Sequence, residues 1–234
     1  RRPGVSSRPW GMAVRYIPLA LKHTATPQVE HLALLAGLEA AVRGSLVSVM
    51  PLYVYDVLGS AQATSLAYLA AGIVSLVAGL MVPWITTFVP RRWAYTGGGL
   101  LYLIGMALAI HGSDLSVHLA LICNAIATAS LFVCFNAYVL DYVTRENLGR
   151  GQSVQMLYAA LPWSLGPMAG MGLYFLWKPA PFVVAGCFAI TLLTVFWVLR
   201  LGNGKQIARA RSPAVNPLGY LARFFQQPRL IAGW

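Results

Sequence analysis

Glu39 and Arg43 are the residues in this chain best suited to chemistry, because they are charged residues set in the otherwise apolar run Leu38-Glu39-Ala40-Ala41-Val42-Arg43-Gly44. A spacing of four residues puts both on one helical face, with the acid on the favourable N-terminal side. If the helix enters the bilayer near His31, Arg43 lies about 18 Å along it, close to the middle of a hydrocarbon core about 30 Å thick. An arginine at that depth costs about 2.5–3.5 kcal/mol on insertion scales, so it needs a partner or a wet cavity. One reading is a self-neutralising pair that fixes helix packing. The other is a pair that lines a water-filled path and contacts a substrate or a proton. Burial and the neighbouring guanidinium act on the carboxylate in opposite directions, which leaves proton coupling open.

Other polar groups fall in similar surroundings. Asn124, Thr128 and Phe135 share one face of a later apolar stretch at spacings of four and seven. Buried amides and hydroxyls in a membrane want partners, so Asn124 and Thr128 are candidates for substrate contact or for a bond to another helix. Tyr158 and Trp163 offer aromatic surface to a ligand. Cys123, Cys134 and Cys187 read as free thiols, since the first two stand about 16 Å apart along one helix. No histidine or cysteine sits at metal-ligand spacing, so no metal is expected. Gly97-Gly98-Gly99 lacks the strand–turn–helix setting of a phosphate loop, and no cofactor is expected.

An enzymatic rival attaches to the same charged pair. Glu39-Ala-Ala-Val-Arg43 resembles the second half of the Glu-Glu-x-x-x-Arg motif of membrane-embedded CAAX-type proteases. Leu38 stands where that motif needs its water-activating carboxylate, and the family's Phe-x-x-x-His element is missing. His111 and His118 flank a loop instead. A rhomboid-type serine nucleophile turn is missing as well, so the chain reads as a non-enzyme.

Six long apolar stretches must position these residues, near 32–55, 64–89, 94–110, 116–140, 154–177 and 180–199. Each is long enough to span a bilayer, and the lack of two-residue alternation favours helices over a barrel. The fold class expected is therefore an all-α membrane protein with six transmembrane helices. Fifteen of the seventeen Lys and Arg fall on one side: Arg1, Arg2, Arg8, Arg15, Lys22, Arg91, Arg92, Arg145, Arg150, Arg200, Lys205, Arg209, Arg211, Arg223 and Arg229. The opposite loops hold Lys178 with Asp56 and Asp114. Under the positive-inside rule the N-terminus is cytoplasmic. The net charge of +11 thus reflects topology and attraction to anionic lipid rather than nucleic-acid binding. Residues 1–30 form a basic tail in which Arg8 to Leu21 suit an interfacial helix, and 31–200 form the bundle. Residues 201–229 read as a cytoplasmic linker with a short surface helix at Leu218 to Phe225, and 230–234 as the start of a seventh span.

Six inside-anchored spans followed by a basic linker resemble the N-terminal half of the major facilitator superfamily. Gln227-Pro228-Arg229 before a new apolar run looks like the approach to that family's seventh helix. Between spans two and three, the basic pair Arg91 and Arg92 matches the end of the family's Gly-x-x-x-Asp-Arg-x-Gly-Arg-Arg motif, with Pro83, Thr87, Phe88 and Pro90 at its other positions. Asn136 to Gly151, with Asp141, Arg145 and Arg150, is similar to the family's cytoplasmic end of helix four. The arginine that proton-linked antiporters of the family carry in that helix is replaced by Asn124 and Thr128. In span five, Trp163-Ser-Leu-Gly166-Pro167-Met-Ala-Gly170-Met-Gly172 resembles the antiporter motif Gly-Pro-x-x-Gly-Gly. Pro167 bends that helix, and Gly166 with Gly170 form a smooth strip for close approach. Gly72, Ser75 and Gly79 in span two and Gly97, Gly98 and Gly105 in span three are expected to serve packing alone.

The resemblance implies a secondary transporter in the bacterial inner membrane that moves a small solute by alternating access. It also implies a proton or other ion as possible coupling partner, and a C-terminal half completing the site. Glu39, Arg43, Asn124 and Thr128 would contact substrate or ion, while Gly166, Pro167, Gly170, Arg91, Arg92, Asp141 and Arg145 would serve the moving helix interfaces. The rival from another class is a non-transporting membrane scaffold built on the same bundle.

Overall fold

The computed structural model describes residues 29–143 and 148–199. The expected interfacial helix, Arg145, the linker and the start of a seventh span lie outside the described residues. The described residues are helical throughout: α1 (Val29–Leu46), α2 (Val49–Leu58), α3 (Ala61–Phe88), α4 (Arg91–His111), α5 (Asp114–Tyr142), α6 (Leu148–Leu176) and α7 (Ala180–Val198). These are the six expected spans, the first of them broken at Val47–Ser48 into α1 and α2. The break has a local cause in Pro51, which has no N–H for the Val47 carbonyl and whose ring crowds it.

The connections between helices are short and chemically specified. Gly59 closes α2 in the left-handed conformation at φ 65°, and its N–H bonds the Tyr55 carbonyl. The Ser60 hydroxyl then caps α3 by accepting from the Ala63 N–H. Gly112, at φ 77°, ends α4, and a reciprocal capping box between Ser113 and Ser116 opens α5. Such caps satisfy helix-end groups that have no intrahelical partner.

Packing runs in a series, α3 on α5, α5 on α4, α4 on α7, α7 on α1 and α1 on α6, so α3 and α6 stand at its two ends. Large buried side chains fill the middle, among them Leu35, Val42, Tyr102, Leu131, Phe182 and Leu192. The outer faces are apolar too: Leu66, Leu69, Ile73, Leu76 and Val77 on α3, and Met156, Leu157, Leu161 and Met168 on α6, are all exposed. Apolar surface on that scale has lipid as its natural solvent. Among the described residues, five spans are long and apolar enough to cross a membrane by composition, α6 being the exception. Its shortfall comes from its Gly, Pro, Ser and Gln residues, of which Pro162, Gly166 and Gly170 meet α1.

Two contacts identify the two ends of the bundle. At one end Arg91, at the start of α4, bonds Asp141, near the end of α5. At the other end Asp56 accepts a hydrogen bond from the Tyr174 hydroxyl at 2.7 Å and lies 3.5 Å from the Lys178 ammonium. Tyr53 also acts at this second end, where its hydroxyl donates to the Ala109 carbonyl in the last turn of α4, a group with no helical donor of its own. Tyr53→Phe is expected to lower stability by about 1 kcal/mol, measured by thermal unfolding in detergent.

Candidate functional site

The interface of α1 and α6 sets the geometry around the charged pair. A Cβ built on Gly166 would stand 2.6 Å from the Gly44 carbonyl carbon, and one on Gly170 would overlap the Ser45 carbonyl oxygen. From the other helix, a Cβ on Gly44 would overlap the Pro162 carbonyl oxygen, and one on Gly37 would lie 3.1 Å from the Tyr158 oxygen. The two backbones therefore touch directly. Prolines make this contact useful: Pro162 has no N–H for the Tyr158 carbonyl, so that oxygen is free to face Gly37. Pro167 does the same for the Trp163 carbonyl, beside the break in the first span.

Arg43 projects from α1 one turn before that break, and Glu39 one turn earlier still. Their nearest charged atoms are 3.7 Å apart, and the side chains are 12% and 39% exposed respectively. That separation is long for a hydrogen bond, and Glu39 Oε1 is buried without a hydrogen-bond partner. The Arg43 guanidinium lies over the ring of Trp163 from α6, 5.3 Å from its centroid, which is cation–π distance. Arg43 also lines a cavity of about 450 Å³ with Ser75 and Gly79 of α3 and Thr128 and Phe132 of α5. The Thr128 hydroxyl bonds Tyr102 of α4 at 2.8 Å.

The structure brings Arg43 and Thr128 around one space, with Trp163 against the Arg43 guanidinium, and leaves Asn124 elsewhere. Both polar atoms of Asn124 are buried without partners, and a Cβ on Gly105 of α4 would lie 3.4 Å from its amide nitrogen. Asn124 therefore faces α4 and not this cavity. Phe135 is buried in the core. Glycines expected to serve packing divide in the same way. Gly98 and Gly105 meet neighbouring helices, but a Cβ on Gly72, Gly79 or Gly97 would meet nothing within 4 Å. Gly79 lines the cavity instead, and Ser75, which lines it too, ties α3 to α5 through the Ala125 carbonyl at 3.4 Å. Cys123, Cys134 and Cys187 are free thiols.

At the basic end, Arg91 and Asp141 hold α4 and α5 together, with Arg92 next along the chain. Their side chains are 28% and 50% exposed, so water screens the pair. Arg91→Gln and Asp141→Asn are each expected to change stability by less than about 1 kcal/mol. A much larger fall in solute flux than in unfolding temperature would give the pair a part in conformational change.

Sequence reasoning passed over the Asp56, Tyr174 and Lys178 cluster, because its members are 118 and 122 residues apart and meet only in the fold. Gly37 and Gly44 were missed as well, although their spacing of seven in span one was the available signal.

Apolar helices that keep a charged pair at mid-span, with Arg43 of that pair on an open cavity, suit a membrane transport bundle. Residues 32–234 match the Major Facilitator Superfamily. The chain belongs to that family, whose members are membrane transporters rather than enzymes. No curated protein matches the sequence.

Proposed function

We propose that this protein is a secondary transporter that carries a small solute by alternating access, with the seven helices described here forming one of two halves. The observation that carries the reading is Arg43, a cation near mid-span that faces an open cavity while its buried counter-ion Glu39 stands behind it. Charges at such depth are retained where a polar cargo or ion must be met. The α1–α6 contact, glycine against backbone with Pro162 and Pro167 interrupting the hydrogen-bond ladder of α6, gives the kind of smooth surface on which helices rock. The energy would come from an ion gradient or the substrate's own gradient. The basic side, with the N-terminus, Arg91 and Arg92, faces the cytoplasm, in a membrane of the bacterial inner type.

The test is reconstitution of the full-length protein in proteoliposomes. Single cysteines replacing Ser75 and Thr128 are labelled with a membrane-impermeant thiol reagent from either face. Alternating access predicts that each becomes reactive from both faces in turn, and that added solute shifts the balance. Reactivity fixed to one face, with no solute flux, would sink the proposal.

A further inference from the structure

We infer that the cavity beside Arg43 receives the carboxylate of a small organic anion with an apolar body. The inference rests on the transport reading above and names its class of cargo. Arg43 is the charged residue that lines the cavity, and Glu39 does not line it. The exposures agree, at 39% for the Arg43 side chain against 12% for Glu39, so a solute entering this space meets the cation.

Arg43 is also under-used by the protein. A guanidinium has five N–H donors in a planar fork, yet its ion pair with Glu39 stands at 3.7 Å and leaves Glu39 Oε1 without a hydrogen bond. Trp163 meets the guanidinium through its ring, 5.3 Å from centroid to Cζ, and an indole has no hydrogen-bond acceptor, which leaves the N–H donors for a ligand. A planar fork of donors suits a carboxylate, which can accept two parallel hydrogen bonds. The neighbouring hydroxyls are already engaged, Ser75 with the Ala125 carbonyl and Thr128 with Tyr102. The remaining wall is apolar, with Leu76, Leu80 and Phe132, and this calls for an apolar body rather than a polyhydroxylated one.

Charge balance narrows the class further. Glu39 and Arg43 together sum to zero, so a bound monoanion brings one excess negative charge into a low-dielectric space. A dianion such as phosphate brings two, at much greater cost. A cationic solute would stand beside Arg43 as a like charge.

Three probes of nearly the same shape separate the possibilities: phenylacetate, 2-phenylethylamine and 2-phenylethanol. Binding to the full-length protein in nanodiscs is read from tryptophan fluorescence and thermal shift, and carriage from uptake into proteoliposomes. Phenylacetate is expected to bind about tenfold or more tightly than either of the others. Glu39→Gln/Arg43→Gln, which keeps the site neutral, should lose that preference, and Arg43→Lys should keep part of it because the charge remains without the fork. Equal or tighter binding of the amine or the alcohol, no binding of phenylacetate, or unchanged phenylacetate affinity in the double variant would overturn the inference. The two readings fail separately. Phenylacetate bound but never carried removes transport and leaves the anion site, whereas uptake of the amine without phenylacetate binding leaves transport and removes the anion site.

Discussion

Gly170→Ala is expected to destabilise the bundle by about 3 kcal/mol or more, while Gly172→Ala, two residues further along α6, changes stability by less than about 0.5 kcal/mol. The two substitutions add the same methyl group to the same helix, so propensity favours both equally. Surroundings decide the outcome. A Cβ at Gly170 overlaps the Ser45 carbonyl oxygen and reaches the Val49 side chain at 3.2 Å, whereas one at Gly172 meets nothing within 4 Å. The obstacle at Gly170 is main chain and cannot rotate aside, so α6 must move away from α1. That movement also opens the contacts of Gly166 on Gly44 and of Gly44 on Pro162, because all belong to one strip. In a bilayer, close packing of this kind is a main source of helix association, since lipid is as apolar as the side chains. Unfolding in a detergent series of increasing denaturing strength measures the difference. Equal effects at the two positions would mean that α1 and α6 do not touch as described.

How much of this was legible in the sequence depends on the range of the interaction. The six spans follow from local composition and length, so they can be read directly from the chain. Glu39 and Arg43 meet because four residues of helix place them together, a relation that needs no tertiary knowledge. Pro51 carries the signal for the break in span one, but proline occurs within α3 and α6 without dividing either, so the residue alone does not decide the matter. Asn124 and Thr128 show where the sequence runs out. Four residues apart on α5, they share a face by periodicity, yet Asn124 turns toward Gly105 of α4 alone, whereas Thr128 bonds Tyr102 of α4 and also lines the cavity with α3. A helical face is broad enough to border two neighbours, and only the position of α3 decides which residue also reaches the cavity. Gly72 and Gly79 teach the same lesson, since a small residue permits close approach but does not supply the helix that approaches.

The charged pair gives the second large effect, and its prediction separates a packing role from a transport role. Arg43→Gln is expected to lower stability by about 2–3 kcal/mol, because it leaves Glu39, 12% exposed, buried without its counter-ion. The figure lies below the 3–5 kcal/mol or so of a fully buried pair, because Arg43 is only partly buried and opens onto the cavity. Glu39→Gln alone should cost less than about 1 kcal/mol, since the guanidinium keeps both Trp163 and the open cavity. The double variant Glu39→Gln/Arg43→Gln should recover to within about 1 kcal/mol of the native protein, because no uncompensated charge remains. Solute flux is expected to follow a different order, with Arg43→Gln and the double variant both falling about tenfold or more, since each has lost the cavity's cation. Stability that recovers while flux stays low is the signature of a group that meets the cargo. Flux that returned with stability in the double variant would reduce the pair to a packing device, and the site would have to be sought elsewhere in the cavity.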